Sequence, residues 1–334
     1  MIDSISYASV SATLASVDGF TGLLDGPRAR QAFLLHLVMD PAWSVWVDDH
    51  APLSVVAMLR GEAWVSAPDL PATRIGPSDI AIVRGPEPYL FADPPDAPPQ
   101  VIALPGGQCS STKGESLVDR FRYGVRRWGN SPTGATEALV GAYEHVSELG
   151  RHLVAALPRL AVVPAGSLDS PFVDLLAREM DKDAPGQQVV LDRLLDLLVV
   201  AVLRAWFTST GGDAPGWFRA HTDPVVGPAL RLLQEDPARP WTNATLAAAV
   251  GCSRSTLARR FTALVGEPPM SFLTARRRAL AADLLLEPDA TIAAVARRVG
   301  YANPFALSTA FKRVRGHSPR EHRRQPDTVA APAG

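Results

Sequence analysis

The segment Ala247-Ala248-Ala249-Val250-Gly251 recurs as Ala296-Arg297-Arg298-Val299-Gly300, 49 residues later. A short helix end closed by glycine and repeated at a fixed distance constrains this chain more than any other feature. Each glycine is followed by a polar residue suited to capping a helix, then by two large apolar residues four apart: Leu257 and Phe261, then Leu307 and Phe311. Residues at i and i+4 share a helix face, so each pair buries one side of its helix and leaves the other free. The pattern predicts two units of helix, glycine turn and helix, the second turn one residue longer. Thr242 and Thr291 are placed to cap the first helices. Ser253 and Asn303 are placed to cap the second ones, with Pro304 at a favoured first helical position. Gly266 and Gly316 follow the helix ends, where a left-handed residue is needed. Neither threonine has Glu three positions on, so a full capping box is not expected.

Charge separates this region from the rest. Residues 225–325 carry 16 Lys and Arg against 7 Asp and Glu, whereas the preceding 224 carry 17 against 26. A basic third on an acidic body suits a polyanionic partner that touches only that third. In a helix-turn-helix unit the second helix enters the major groove of double-stranded DNA. With Leu257 and Phe261 buried, the first unit presents Arg254, Ser255, Thr256, Ala258 and Arg259. The second presents Asn303, Phe305, Ser308, Thr309, Lys312 and Arg313. Arg259 is the candidate for bidentate reading of guanine, and Arg254 for a base or a phosphate. Lys312 and Arg313 suit phosphate, which fixes register without reading sequence. Arg276-Arg277-Arg278 reads as a solvated face of the connecting helix.

The first 125 residues read as β-rich: Trp43–Val47 alternates, Leu53–Leu59 is an apolar run, and Ile80–Val83 lies between Gly-Pro turns. Short apolar runs between Gly and Pro turns predict a sandwich or small barrel. Residues 126–210 read as a helical linker and dimerisation region, with helices over Ala135–Leu157, from Ser170-Pro171, and over Gln187–Thr208. The last of these is apolar on more than one face, which suits burial or a second copy of the chain, hence a homodimer. Residues 211–222 read as a flexible linker, 223–325 as the DNA-binding domain and 326–334 as a disordered tail. The fold class expected is therefore α+β and multidomain. No signal-peptide pattern and no membrane-spanning run is present, so a cytoplasmic protein is expected. Two cysteines, Cys109 and Cys252, suit neither a structural disulfide in a reducing compartment nor a Cys-rich zinc site.

The segment from about Val225 to Arg324 resembles the AraC/XylS family of transcription regulators. The resemblance rests on Trp241-Thr242, on Val250 to Phe261, on Ala296 to Tyr301, on Ala310-Phe311-Lys312-Arg313 and on Gly316-His317-Ser318-Pro319. It implies two units joined by a long helix, here about Pro269 to Leu286, reading successive major grooves. The family usually carries Arg where this chain has Thr309, which implies a second unit that anchors more than it reads.

The N-terminal part resembles the cupin-type sensor domain of one branch of that family. It does so through Asp40 to Ser44, Arg60 to Trp64, Gly76 to Ile80 and Arg84 to Tyr89, and this implies a cupin-like β-barrel whose interior holds a small-molecule effector. Trp46, Trp64 and Tyr89 are candidates to line that pocket or to be plain core. Cupin enzymes hold a metal with several His and a Glu. Here Tyr89 stands where a His is expected, and the spacing of His36, His50, Glu62 and Cys109 is not diagnostic, so neither metal nor cofactor is expected. Cys109, near a Gly-rich turn, reads as an inert thiol or a redox sensor. The function expected is a ligand-responsive regulator, with RNA polymerase as a further partner if it activates. The alternatives are a metal-dependent cupin enzyme with a DNA-binding tail, and an alkyl-damage repair protein, which would need more cysteines.

Overall fold

The structure, a computed structural model, describes residues 32–324 apart from 145, 147, 169–170, 211–215 and 288. It divides into two compact units, one holding residues 32–209 and the other residues 216–324. The expected tail at 326–334 lies outside the described residues.

Among its described residues the first unit contains twelve strands: β1 (Phe33–Met39), β2 (Trp43–Val47), β3 (Leu53–Arg60), β4 (Ala63–Ala67), β5 (Leu70–Ile75), β6 (Ile80–Arg84), β7 (Tyr89–Asp93), β8 (Val101–Leu104), β9 (Gln108–Ser111), β10 (Arg127–Gly129), β11 (Thr136–Tyr143) and β12 (Leu160–Val163). They form two six-stranded sheets, ordered β10-β1-β11-β3-β6-β12 and β5-β4-β7-β2-β8-β9. Alternate residues of both sheets meet in one core. Leu37, Met39, Val56, Met58 and Val83 come from the first sheet, and Trp43, Val45, Val65, Phe91 and Val101 from the second. Register follows the same parity: Val45 lies opposite Phe91 on one side and Val101 on the other.

Two expectations are corrected here. The sheet does not end at residue 125, because β10, β11 and β12 complete it. Nor is Ala135–Leu157 one helix. Its first half is β11, which pairs along its length with β1 and β3, and only Glu148–Ala155 is helical (α1). A short run of apolar residues cannot be told from a helix by periodicity alone. Here the deciding factor is non-local: Val140 lies opposite both Leu35 and Val56, so a strand satisfies its backbone on both edges. Gly141 lies beneath the last helix of the unit, where a Cβ would stand 2.7 Å from Leu195.

The remaining helices of this unit are α2 (Phe172–Met180) and α3 (Gln187–Ser209). Pro171 is the residue before α2 rather than its first helical residue. In α3, Leu191, Leu195, Leu198, Val199, Val202, Leu203 and Phe207 are buried. Val190 and Leu197, expected on or beside the apolar face, are 45% and 47% exposed.

The regular elements of the second unit, among its described residues, are helices: α4 (Gly216–Ala220), α5 (Val226–Glu235), α6 (Asn243–Ala249), α7 (Arg254–Val265), α8 (Pro269–Leu285), α9 (Ile292–Arg298), α10 (Pro304–Arg315) and α11 (Pro319–Arg324). It has two cores. Leu246, Leu257, Phe261 and Leu273 centre the first, and Leu285, Val295, Leu307 and Phe311 the second. The linker expected over 211–222 is corrected in its second half. Residues 216–220 are helix α4, and Ala220 is fully buried in the first core. Glycine and Asp read locally as a linker, but only Gly216 can let α4 approach the carbonyl of Leu264 as it does. Residues 211–215 lie outside the described residues.

Candidate functional site

The caps that open the second helix of each helix-turn-helix pair, α7 and α10, are where their residue types place them. Ser253 accepts from the Thr256 N–H at 3.1 Å, and Asn303 from the Ala306 N–H at 2.8 Å. Thr242 and Thr291 cap α6 and α9 in the same way. One expectation changes: α6 does have a complete capping box, because the Thr245 hydroxyl accepts from the Thr242 N–H at 2.9 Å. A hydroxyl thus does what Glu usually does.

With Leu257 and Phe261 buried, Arg254, Ser255 and Arg259 of α7 are exposed, and Thr256 and Ala258 half-buried. The Thr256 hydroxyl accepts a bond from Ser253 at 2.9 Å, so it supports the cap first. On α10, Phe305, Thr309, Lys312 and Arg313 are exposed and Ser308 is half-buried. Asn303 spends its side-chain oxygen on the cap, and Ser308 donates to the Pro304 carbonyl at 2.8 Å. The two helices therefore offer different chemistry: exposed guanidinium groups on α7, and a ring and a hydroxyl ahead of cations on α10.

The arginine triplet on α8 is not a solvated face. Arg276 is buried and donates to the Gln234 carbonyl. Arg277 donates to the carbonyls of Pro237 and Arg239 at 2.6 and 2.8 Å. The same loop packs against the turn of the second unit, where a Cβ on Gly300 would stand 2.7 Å from the Ala238 Cα. The Arg239 guanidinium in turn lies over the Trp241 ring, 4.1 Å from its centre. Arg260 pairs with Asp223 at 2.6 Å. Burial by itself would raise the Asp223 carboxyl, but the N–H groups of Val226 and Val225 and the Arg260 guanidinium outweigh it and hold it below its ordinary value. The hydrogen bonds of Arg276, Arg277 and Arg260 are not legible locally, since each joins residues about 40 apart.

In the first unit a cavity of about 200 Å³ lies among the strands, lined by Leu35, Leu37, Val45, Val56, Phe91 and Val140 together with Asp49, Tyr89 and Arg126. Of the three aromatic candidates only Tyr89 lines it. Its hydroxyl bonds Ser54, and burial raises it well above the ordinary phenol. Trp46 and Trp64 do not line it. Trp43, Val45, Ala63 and Val65 face the core, and strand alternation sends their neighbours Trp46 and Trp64 to the other face. Cys109 sits on β9 and does line the cavity. Burial raises its thiol, against hydrogen bonds from Trp128 and Leu117, so it is a poor thiolate and the redox reading loses support.

Arg126 was not foreseen. Its guanidinium donates to the side-chain oxygens of Gln187 and Gln188, both at 2.8 Å, at the first turn of α3. Asp49 accepts from the Ala51 N–H at 3.0 Å, and burial raises its carboxyl.

The four residues weighed as metal ligands stand apart in function. His36 is buried beside Glu137 at 2.8 Å. Burial and Arg127 lower its imidazole against the opposing pull of Glu137. His50 is exposed, 3.4 Å from Asp48, and Glu62 accepts from Arg74 at 2.7 Å. Among the described residues, no three His, Cys, Asp or Glu side chains come together as a metal site.

A family model described as Cupin matches residues 18–208, and one described as Helix-turn-helix domain matches residues 246–325. An AraC-like transcription regulator of Streptomyces antibioticus is 32% identical over 305 residues, which is 90% of this chain and 96% of that protein. The HTH-type transcriptional regulator AlkR of Acinetobacter baylyi is 26% identical over 92% of this chain and 100% of its own. Among solved structures, the DNA-binding domain of the global transcriptional factor AdpA, in complex with a target DNA, is 33% identical. That match covers 32% of this chain and 100% of the other, with a TM-score of 0.29.

Proposed function

The chain belongs to the AraC-like transcription regulators, with a cupin-family N-terminal domain, and we propose that it reads its operator chiefly through α7, under control of a small effector held in the cavity of the two-sheet unit. As a family member it is a sequence-specific DNA-binding regulator, which disposes of the cupin-enzyme and repair alternatives. The observation that carries the division of labour is the surface of the two groove-entering helices. Arg254 and Arg259 are exposed on α7, and neither has a carboxylate partner among the described residues. Thr309 stands where α10 would need the second arginine.

On this reading Arg259 bonds a guanine, and Arg254 a base or phosphate. Ser255, Thr256 and Ala258 lie against the groove wall, and Lys312 and Arg313 hold phosphates. Arg259→Ala then weakens binding of the full-length protein to duplexes it has itself selected from a random pool by about 1–3 kcal/mol, and relaxes one base pair. Thr309→Ala costs much less. Equal losses for the two variants would assign reading to both units.

The cavity supports the effector half of the proposal. Its apolar lining suits an apolar body, and Tyr89, Asp49 and Arg126 suit a polar end. Arg126 joins the cavity wall to the first turn of α3, the helix that precedes the DNA-binding unit in the chain, so a ligand that draws on Arg126 would change the hold on α3. Octanol or octanoate should raise the melting temperature of the full chain, and Ala103→Phe, which fills the cavity, should abolish the rise. A rise that survives puts the ligand elsewhere.

Exposed Val190 and Leu197, with half-buried Leu194 between them on α3, suit the same stripe of a second copy, giving a homodimer whose two DNA-binding units take paired half-sites. Leu197→Glu tests this without touching the core. A monomeric mass in solution for the unaltered chain would end it. Work on chromosomal DNA sets the cytoplasm as the compartment, and an activator of this kind would also meet RNA polymerase. Among the described residues no helix is long and apolar enough to cross a membrane.

A further inference from the structure

Leu257 and Phe261 correspond to Leu307 and Phe311 at a spacing of 50, so Phe305 holds on α10 the place that Ser255 holds on α7. Phe305 is 82% exposed, more than any other large hydrophobic side chain among the described residues. A single exposed apolar residue is ordinary on a protein surface; the location of this one is not. It is the second helical residue, at the end that leads a recognition helix into the groove, one turn before exposed Thr309 and two before exposed Lys312. No core contact requires the ring, because Leu307 and Phe311 fill that role.

The rest of that end narrows the chemistry. Between Pro304 and Thr309 there is no cationic or amide side chain. The Ser308 hydroxyl donates to the Pro304 carbonyl, and Asn303, just before, commits its oxygen to the cap. The leading end of α10 therefore offers a bare ring as its one apolar group, beside the Asn303 amide nitrogen and the Thr309 side chain, while Lys312 and Arg313 supply charge complementary to phosphate. On the major-groove edges of DNA one apolar group is available, the C5-methyl of thymine.

We propose that Phe305 is a specificity-determining residue that packs on a thymine methyl, so that the second unit selects a T·A pair by apolar contact rather than by hydrogen bonding. The inference rests on the reading of the chain as a DNA-binding regulator. It makes the second unit a reader of limited discrimination, since one methyl group is worth about fourfold in affinity.

The test uses the full-length protein and duplexes it selects from a random-sequence pool. Each thymine of a selected duplex is replaced in turn by deoxyuridine, which removes the methyl and leaves every hydrogen-bonding edge intact. Replacement at one position in each half-site should weaken binding about fourfold. It should cost nothing for Phe305→Ala, and it should still cost for Phe305→Leu, which keeps an apolar side chain. Restoring the methyl as 5-methylcytosine in a C·G pair at that position should bind better than unmodified cytosine. The inference is overturned if no thymine is sensitive to loss of its methyl, or if the sensitive one is equally sensitive in Phe305→Ala. A chain that selects no duplex at all overturns the DNA-binding reading and this inference together, whereas selected duplexes indifferent to the methyl overturn this inference alone.

Discussion

The two helix-turn-helix units share an interior and differ on the outside. Leu257 with Phe261 and Leu307 with Phe311 fill equivalent places in separate cores. Both groove-entering helices start on a side chain that accepts from the N–H three residues on. Their exposed faces have diverged, with Arg259 matched by Thr309 and Ser255 by Phe305. Their turns have diverged too. Gly251 has open space around it, whereas Gly300 is pressed against Ala238 beside the carbonyls that hold Arg277. The comparison teaches that the repeat preserves what makes a unit fold. What a unit contacts, whether DNA outside or the other half of the domain inside, is written in the residues between.

The comparison is exposed first at the cores. Leu257→Ala and Leu307→Ala should each cost about 2–5 kcal/mol of stability in the DNA-binding unit, because each empties a fully buried site. Denaturant titration of the two variants, followed by helix content, checks this. Costs that differ by more than the spread of such a series would show that one core carries the other.

The turns should separate the units where the cores do not. Gly251 and Gly300 both have positive φ, 70° and 82°, so alanine at either is strained by about 1 kcal/mol. At Gly300 the new Cβ also meets backbone, so Gly300→Ala should be the more damaging, and melting curves of the pair read the difference. Equal losses would mean that the loop before α6 yields freely, and that the halves are not tied there.

Smaller again are the caps. Ser253→Ala and Asn303→Ala should each cost about 1 kcal/mol, and alike, because the geometry is alike. If Asn303→Ala weakens DNA binding at constant helix content while Ser253→Ala does not, the free amide of Asn303 touches DNA as well as capping α10.

The smallest effect is a pH dependence in the first helix-turn-helix half, where Arg260 pairs with Asp223. The Asp223 carboxyl is held below its ordinary value, so its contribution to stability is complete above the unfolded-state value near 3.8. That contribution is lost as the pH falls through the folded-state value. Asp223→Asn should flatten the acid limb by removing that contribution at neutral pH, so that the variant is less stable there and matches the unaltered chain at low pH; an unaltered limb would place the acid sensitivity elsewhere.

What the sequence determined by itself is the local chemistry of the C-terminal third. Caps, proline at the first helical position, glycine at the ends and Leu–Phe pairs at i and i+4 act within a few residues of each other, so their pattern can be read along the chain. Strand alternation was equally local. The inward faces of Trp43 and Val45 already implied that Trp46 points away from the core, although the parity of Tyr89 needed the pairing of β7 with β2. Tertiary structure decided whatever depended on a distant partner. The stretch of Thr136–Tyr143 is a strand because β1 and β3 wait on either side of it. Gly216–Ala220 is part of the DNA-binding unit because Ala220 completes its core. Arg277 is a latch because the 237–239 loop and the turn at Gly300 meet on it, and Arg126 joins a cavity to a helix because Gln187 and Gln188 lie 61 and 62 residues further on. Burial and hydrogen bonding between residues so far apart are set by the packing of whole elements, which no window of sequence contains.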